Sequence, residues 1–274
     1  MAVIGIDLGG TKIAGALFSE KGAVLNTLNI PLSGKKGREA GKLVRTVMAS
    51  LLDSKEGGNV KFAGISVPGI AYSSTGNVWA PNIPGWRNYP LRNELEDYFR
   101  GSIVQVKVES DRTCYILGER WKGVARGCND AIYLSVGTGI GAGILAGGKV
   151  LHGSGDIAGA IGWMALQSPY LADYTRCGCF EYYASGPGIA LHARNLLAVK
   201  ADNEGFPEEK SPDDIDASDV FAAYEKGNAT AVKVIRKAVE MWGMAAANLV
   251  SIFDPEKIIF GGGVFGPAEA LIPD

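Results

Sequence analysis

With 274 residues, 27 basic against 29 acidic side chains and a net charge of −2, the sequence offers no basic stripe for a phosphate backbone, and nucleic acid is not an expected partner. Its 47% hydrophobic and 20% charged residues supply a sizeable core, exclude disorder and, at this length, favour two domains. No secretory pattern opens the chain, the longest apolar stretch, from Ala131, is broken by Gly, Ser and Thr, and the four cysteines suit reduced thiols, so a cytoplasmic protein without a membrane span is expected.

The first segment, "IGIDLGGTKIAGAL" at 4–17, runs apolar to Asp7, turns through Gly9, Gly10, Thr11 and Lys12, and resumes apolar, which predicts strand, tip and strand. A helix is predicted in "GKLVRTVMASLLDS" (41–54), where Leu43, Val47 and Leu51 recur with Val44, Met48 and Leu52 at spacings of three and four. A buried strand "FAGISVPGI" follows, then a Gly, Pro, Asn and Ser-rich loop at 71–86. Next come a helix near 91–99, a strand "IVQVKVES" and a helix at 113–122. The second half opens with a strand at Ala131, with helices at 187–198 and 229–253, and closes on the strand "KIIFGGGV". The charged run "KADNEGFPEEKSPDDIDASD" between those helices reads as a solvated loop.

An internal echo organises these elements. "GGTKIAGALFSEKGAVL" from Gly9 and "VGTGIGAGILAGGKVL" from Val136 share one strand-turn-strand pattern, as expected of a duplicated unit. Two α/β domains follow, a smaller one at 1–110 and a larger one at 111–274.

Glycine tips of this kind present backbone N–H groups to phosphate oxygens, and Thr11 and Lys12 add a hydroxyl and a charge. Asp7 repels a phosphate and is better suited to holding Mg²⁺. The second tip, Gly137, Thr138 and Gly139, would let two hairpins clamp a triphosphate from opposite sides of a cleft. A dinucleotide-binding unit is excluded, because each tip is followed by a strand and not by a helix.

In order, "DLGGTK", "SVPG", "APNIPGW", a strand ending "ESD" with Gly118 and Glu119 after it, "GTGIGAG" and "FGGGV" resemble the ROK family of bacterial sugar kinases over nearly the whole chain. The resemblance implies an actin-like, ribonuclease-H-type α/β fold of two domains around a cleft, transferring the γ-phosphoryl of Mg-ATP to a sugar hydroxyl, most often the 6-hydroxyl of a hexose. Asp111 matches the family's general base, though it could equally cap the helix that follows. Asn82 and Glu181 match sugar-binding residues, Gly69 lies where the backbone passes the sugar, and Gly261, Gly262 and Gly263 match the loop beside the adenosine. A homodimer is also implied.

The sequence departs from the family at several points. Ser110, expected among the substrate-binding residues, replaces an asparagine before Asp111; Ala160 stands for a sugar-binding glutamate; Trp163 stands for a histidine and could line the sugar pocket or join the core. Of the family's zinc loop only Cys177 and Cys179 remain, and two cysteines do not complete a four-ligand site, so no zinc is expected. The sequence also stops sooner after the last glycine loop than the family pattern does, and if it represents the whole molecule the wall beside the adenine is expected to be short. The alternative these departures raise is a sugar-binding sensor that has lost turnover.

Overall fold

The computed structural model describes residues 1–55, 59–101, 104–200, 205–207, 209–268 and 271. Two compact units emerge, one of Met1–Cys114 with His152–Ile157, the other of Tyr115–Leu151 with Ala158–Asp274.

In the first unit, β1 (Ala2–Leu8) pairs antiparallel with β2 (Lys12–Ser19), which pairs with β3 (Val24–Pro31). On the other side β1 runs parallel to β4 (Val60–Val67), and β4 parallel to β7 (Gln105–Ser110), giving the order β3-β2-β1-β4-β7. Ala2, Ile4, Ile6 and Leu8 of β1 are buried with the residues between them more exposed, the two-residue period of a strand covered on one face. What covers it includes α1 (Gly37–Leu52), whose Val44, Val47, Met48 and Leu51 join the same core.

The helix starts one turn earlier than its apolar period suggests. Gly37 N–H donates to Pro84 and the Trp86 indole donates to the Gly37 carbonyl, so tertiary contacts set that end. The loop at 71–86 contains one short strand, β6 (Val78–Trp79), paired with β5 (Ile70–Ala71); α2 (Leu91–Tyr98) follows.

α3 (Asp111–Lys122) leads into the second unit. There β8 (Ala131–Val136) pairs antiparallel with β9 (Ile140–Ala146), β9 with β10 (Lys149–Val150), and β8 runs parallel to β11 (Lys257–Gly261). The order β10-β9-β8-β11 repeats β3-β2-β1-β4 in sequence and in strand direction, so the echo read in the sequence is an echo of topology.

α4 (Cys179–Ala184), α5 (Gly186–Lys200), α6 (Ala217–Glu225) and the long α7 (Ala229–Phe253) share a core with this sheet, and the short α8 (Phe265–Ala268) follows β11. α6 corrects the expectation of a loop at 200–219, although 201–204 and 208 lie outside the described residues. Its start is hidden within the acidic run. Asp216 caps the helix by accepting from Ser218 and Asp219 N–H, Asp219 returns a bond to the Asp216 N–H, and Lys210 pairs with both carboxylates at 3.3 and 2.7 Å.

Candidate active site

β1, β4 and β7 are parallel, so their carboxyl ends line one edge, the edge where open α/β sheets bind ligands. Asp7 lies opposite Ser66, and Val67 opposite Ser110, which brings Asp7 and Asp111 to that edge of the first unit. The β1–β2 tip is closed by Gly9 N–H donating to the Lys12 carbonyl at 2.9 Å and tied to the strand beside it by Leu32 N–H donating to Thr11. Asp7, Gly10, Thr11 and Lys12 are exposed.

Beside the tip stands Asn82: a Cβ on Gly10 would lie 3.5 Å from the Asn82 Cβ. The loop that carries it is anchored by apolar burial. Ile83 and Trp86 are buried, Trp86 stacks on Tyr89 with centroids 4.3 Å apart, and Asn82 is left exposed. Gly69 has φ 124°, and a Cβ there would strike the Trp79 carbonyl, so the chain itself requires glycine at this point.

Asp111 is the first residue of α3. The helix is capped not by Asp111 but by Ser110, whose buried hydroxyl bonds Thr113 Oγ1 at 3.0 Å and accepts from the Thr113 N–H at 3.4 Å. That leaves the Asp111 carboxylate with Oδ1 accepting from the Arg112 N–H at 2.8 Å. Burial pushes its pKa above the ordinary value; the Arg112 N–H and guanidinium pull it back, while the charge of Asp7 pushes it further up.

Two residues of this neighbourhood gave no sequence signal. Arg112 Nη2 donates to the carbonyl of Asp156 at 3.3 Å, and Asp156 Oδ2 accepts from the Ser73 N–H and hydroxyl at 3.1 and 3.2 Å. Asp156 is in the left-handed region at φ 57°. The segment 152–157 thus belongs to the first unit and holds Arg112 beside Asp111, a pairing of residues 44 apart that no local pattern announces. Cys114 also lies near, but burial, with nearby carboxylates adding and a Ser66 hydrogen bond opposing, pushes its thiol up to about 12, so it is not a nucleophile.

In the second unit the β8–β9 tip is built from Gly137, Thr138 and Gly139, with Gly137 N–H donating to the Gly139 carbonyl at 2.9 Å. Gly186 N–H, at the start of α5, donates to the Gly137 carbonyl at 2.9 Å, so the amino end of a 15-residue helix abuts the tip. The glycine loop after β11 abuts it too: Val264 N–H donates to Val136, and a Cβ on Gly262, at φ 98°, would collide with the Val136 carbonyl. Gly261 ends β11, and Gly263 faces open space.

Glu181 lies under this tip. Its Oε2 accepts from the Ile140 N–H at 2.6 Å; burial pushes its pKa up and that hydrogen bond pulls it down. Trp163, in a 3₁₀ turn with Ala160 at its cap, is 49% exposed, which removes the core from the two readings left open for it. Cys179 is buried in the core, and the Cys177 thiol faces the Gly178 carbonyl. Among the described residues no group of three or more His, Cys, Asp or Glu could hold a metal ion.

A model of the ROK family matches residues 3–272. The chain belongs to the ROK family. A glucokinase of Halalkalibacterium halodurans is 32% identical over 286 aligned residues, covering 98% of this chain and 82% of that protein. The ROK hexokinase from Thermus thermophilus has a similar structure, with a TM-score of 0.80 at 29% identity over 99% of this chain and 86% of that one. So does a ROK glucokinase from Streptomyces griseus solved with glucose and AMPPNP, with a TM-score of 0.77 at 28% identity over 98% and 88% of the two chains. The fold is accordingly the actin-like, ribonuclease-H-type fold of ROK kinases, as the motif order implied.

Proposed function

We propose that this protein transfers the γ-phosphoryl group of ATP to a hydroxyl of a hexose or hexose derivative, with Asp111 as general base. The observation that carries the reading is the half-buried Asp111 carboxylate, freed from capping by Ser110, with its pKa raised at the carboxyl edge of β7. A carboxylate of raised pKa accepts a proton more readily than an exposed one. In the step itself the sugar O–H proton passes to Asp111, the sugar oxygen bonds to the γ-phosphorus, and the bond from that phosphorus to the bridging oxygen breaks to release ADP. The glucokinase relative and the glucose and AMPPNP complex of the Streptomyces griseus protein support the sugar and the donor. The 6-hydroxyl follows from the family resemblance.

The residues divide the work. Gly9, Gly10, Thr11 and Lys12 on one tip, and Gly137, Thr138 and Gly139 on the other, bind phosphate oxygens; Gly261, Gly262 and Gly263 let the adenosine approach the backbone. Asp7, an exposed oxygen donor whose charge pushes up the pKa of Asp111, fits Mg²⁺, which when bound neutralises phosphate charge. Asn82, exposed beside the first tip, binds sugar hydroxyls, Gly69 shapes the loop they meet, and Trp163 offers an aromatic face to the sugar. Glu181 binds sugar with the oxygen not taken by Ile140, and we assign Ser110 to capping.

The second reading, a sugar sensor without turnover, is favoured only by Ala160 and by the engagement of Glu181 with Ile140. Mg-ATP-dependent ADP formation over a panel of hexoses, amino sugars and N-acetylhexosamines separates the two. Turnover with one sugar that is lost in Asp111→Asn is the expected result. Sugar binding without ADP formation would establish the sensor.

A further inference from the structure

Between the 3₁₀ turn at Ile161–Trp163 and the end of α4, the chain packs around a cluster of tyrosines. Tyr174, in a second 3₁₀ turn at Ala172–Arg176, is fully buried, and Tyr182 and Tyr183 of α4 stand edge-on to it with centroids 5.3 and 5.8 Å away. At its centre three polar groups close a triangle. Gln167 Nε2 donates to the Tyr174 hydroxyl at 2.7 Å and to the Tyr183 hydroxyl at 2.8 Å, and the two hydroxyls bond each other at 2.9 Å. His192 of α5 stacks on Tyr183 with centroids 4.6 Å apart, which ties the cluster to a further helix. Each bond of the triangle has a direction, and breaking one leaves buried polar atoms unpaired, so it fixes position more strictly than apolar packing does. Cys177 and Cys179 take no part in it.

The triangle reaches the candidate sugar residues through the backbone. The Tyr174 carbonyl accepts from the Gly178 N–H at 2.7 Å, and the Gly178 carbonyl accepts from the Tyr182 N–H at 3.0 Å, so Gly178 joins the buried turn to the first turn of α4. Gly178 has φ 89°, and a Cβ there would run into the Gly162 carbonyl and Trp163 Cα. A Cβ on Gly162 would in turn lie 2.9 Å from Glu181 Oε2 and 3.0 Å from the Ile140 carbonyl. Tyr174, Gly178, Gly162, Glu181 and Ile140 therefore form one run of close contacts without room for a side chain. Movement of the Tyr174 turn is passed on to Glu181 and Trp163, because nothing between them is loose enough to absorb it.

We propose that Gln167, Tyr174 and Tyr183 are positioning residues for the sugar side of the second unit, holding Glu181 against the Ile140 N–H and Trp163 beside it. The role in catalysis rests on the kinase reading, in which Glu181 and Trp163 meet the sugar. The staple itself does not.

The test uses the full-length protein labelled with ¹⁵N at isoleucine. The Ile140 N–H donates to a carboxylate at 2.6 Å, a charge-assisted bond that moves its proton signal downfield, and Ile132 and Ile144 in the same two strands are internal controls. In Tyr174→Phe, and separately in Gln167→Leu, the Ile140 proton should move upfield while Ile132 and Ile144 stay in place. Both variants should raise KM for the sugar that the wild type phosphorylates, glucose being tried first, at least about fivefold, with kcat within about twofold. Val220→Ala removes buried volume on α6, an element the triangle does not draw on; it should lower Tm and leave the Ile140 signal and KM at wild-type values. An unmoved Ile140 signal in the two triangle variants, or equal movement in Val220→Ala, would overturn the proposal. So would an unchanged KM beside a moved Ile140 signal, since the triangle would then serve packing alone. A wild type that forms no ADP with any sugar would sink the kinase reading instead, and the same comparison made on the Kd for glucose would still decide the positioning role.

Discussion

Asp111 holds a charge where burial disfavours one, and that has opposite effects on stability and on chemistry. Its folded-state pKa lies above the 3.8 of an ordinary aspartate. Between those two values the folded chain keeps a proton that the unfolded chain has released, so stability falls as pH rises through that window and stays lowered at pH 7. Asp111→Asn should therefore raise Tm while ADP formation drops about 10²- to 10⁴-fold. A variant that loses activity and also melts lower would mean that the carboxylate is structural. Arg112 opposes the shift, by its N–H and by its charge. Arg112→Gln keeps the N–H and removes the charge, so the acidic limb of kcat/KM should move to higher pH; an unchanged profile would show that Asp111 is not the titrating base. Asp111 was legible in the sequence through the order of motifs around it. Arg112's tether was not, because Asp156 is 44 residues away and only the folded chain brings it near.

At the scale of elements, long periodic segments could be read directly: α7 has the limits that its apolar spacing and flanking loops suggest. Elements whose ends are fixed by polar caps or tertiary bonds could not. α3 begins at Asp111 because Ser110 and Thr113 cap it, and α6 was concealed in an acidic run that looked like solvated loop. In Asp216 burial raises the pKa, but the Asp219 N–H, Lys210 and the Ser218 N–H more than offset it, leaving the carboxyl below its ordinary range. The stability this contributes is present above the unfolded pKa and is lost as pH falls through the folded one. Asp216→Ala should cost about 1 kcal/mol in urea unfolding at pH 7, and less at a pH where the wild-type carboxyl is protonated. At the second tip, Gly262→Ala would place a methyl against the Val136 carbonyl at a φ that alanine avoids. It should lower Tm and weaken AMPPNP binding together; an unaffected affinity would remove the β11 loop from the nucleotide site.

For the molecule as a whole, a nucleotide that binds only the folded state should stabilise it by about 2.7 kcal/mol at about 100 times its Kd. Thermal melts with Mg-AMPPNP, with and without glucose, measure this. A Tm that does not respond to Mg-AMPPNP would count against ATP as donor. A chelator added to the free protein should leave Tm where it is, since Cys179 is buried in the core and not presented to a metal; a drop would reveal a structural ion.

The duplicated sheets share their first four strands in the same order and directions, yet the units are not successive stretches of chain. The chain passes from one to the other at 114–115, again at 151–152 and back at 157–158. Severing it at the first of these passages would leave the amino-terminal fragment without Asp156, the partner of Ser73 and Arg112. Whatever two copies the echo descends from, they are now braided: recombination between genes of this kind could exchange a hairpin or a loop, but it could not trade one half for another without stranding six residues of the first half inside the second.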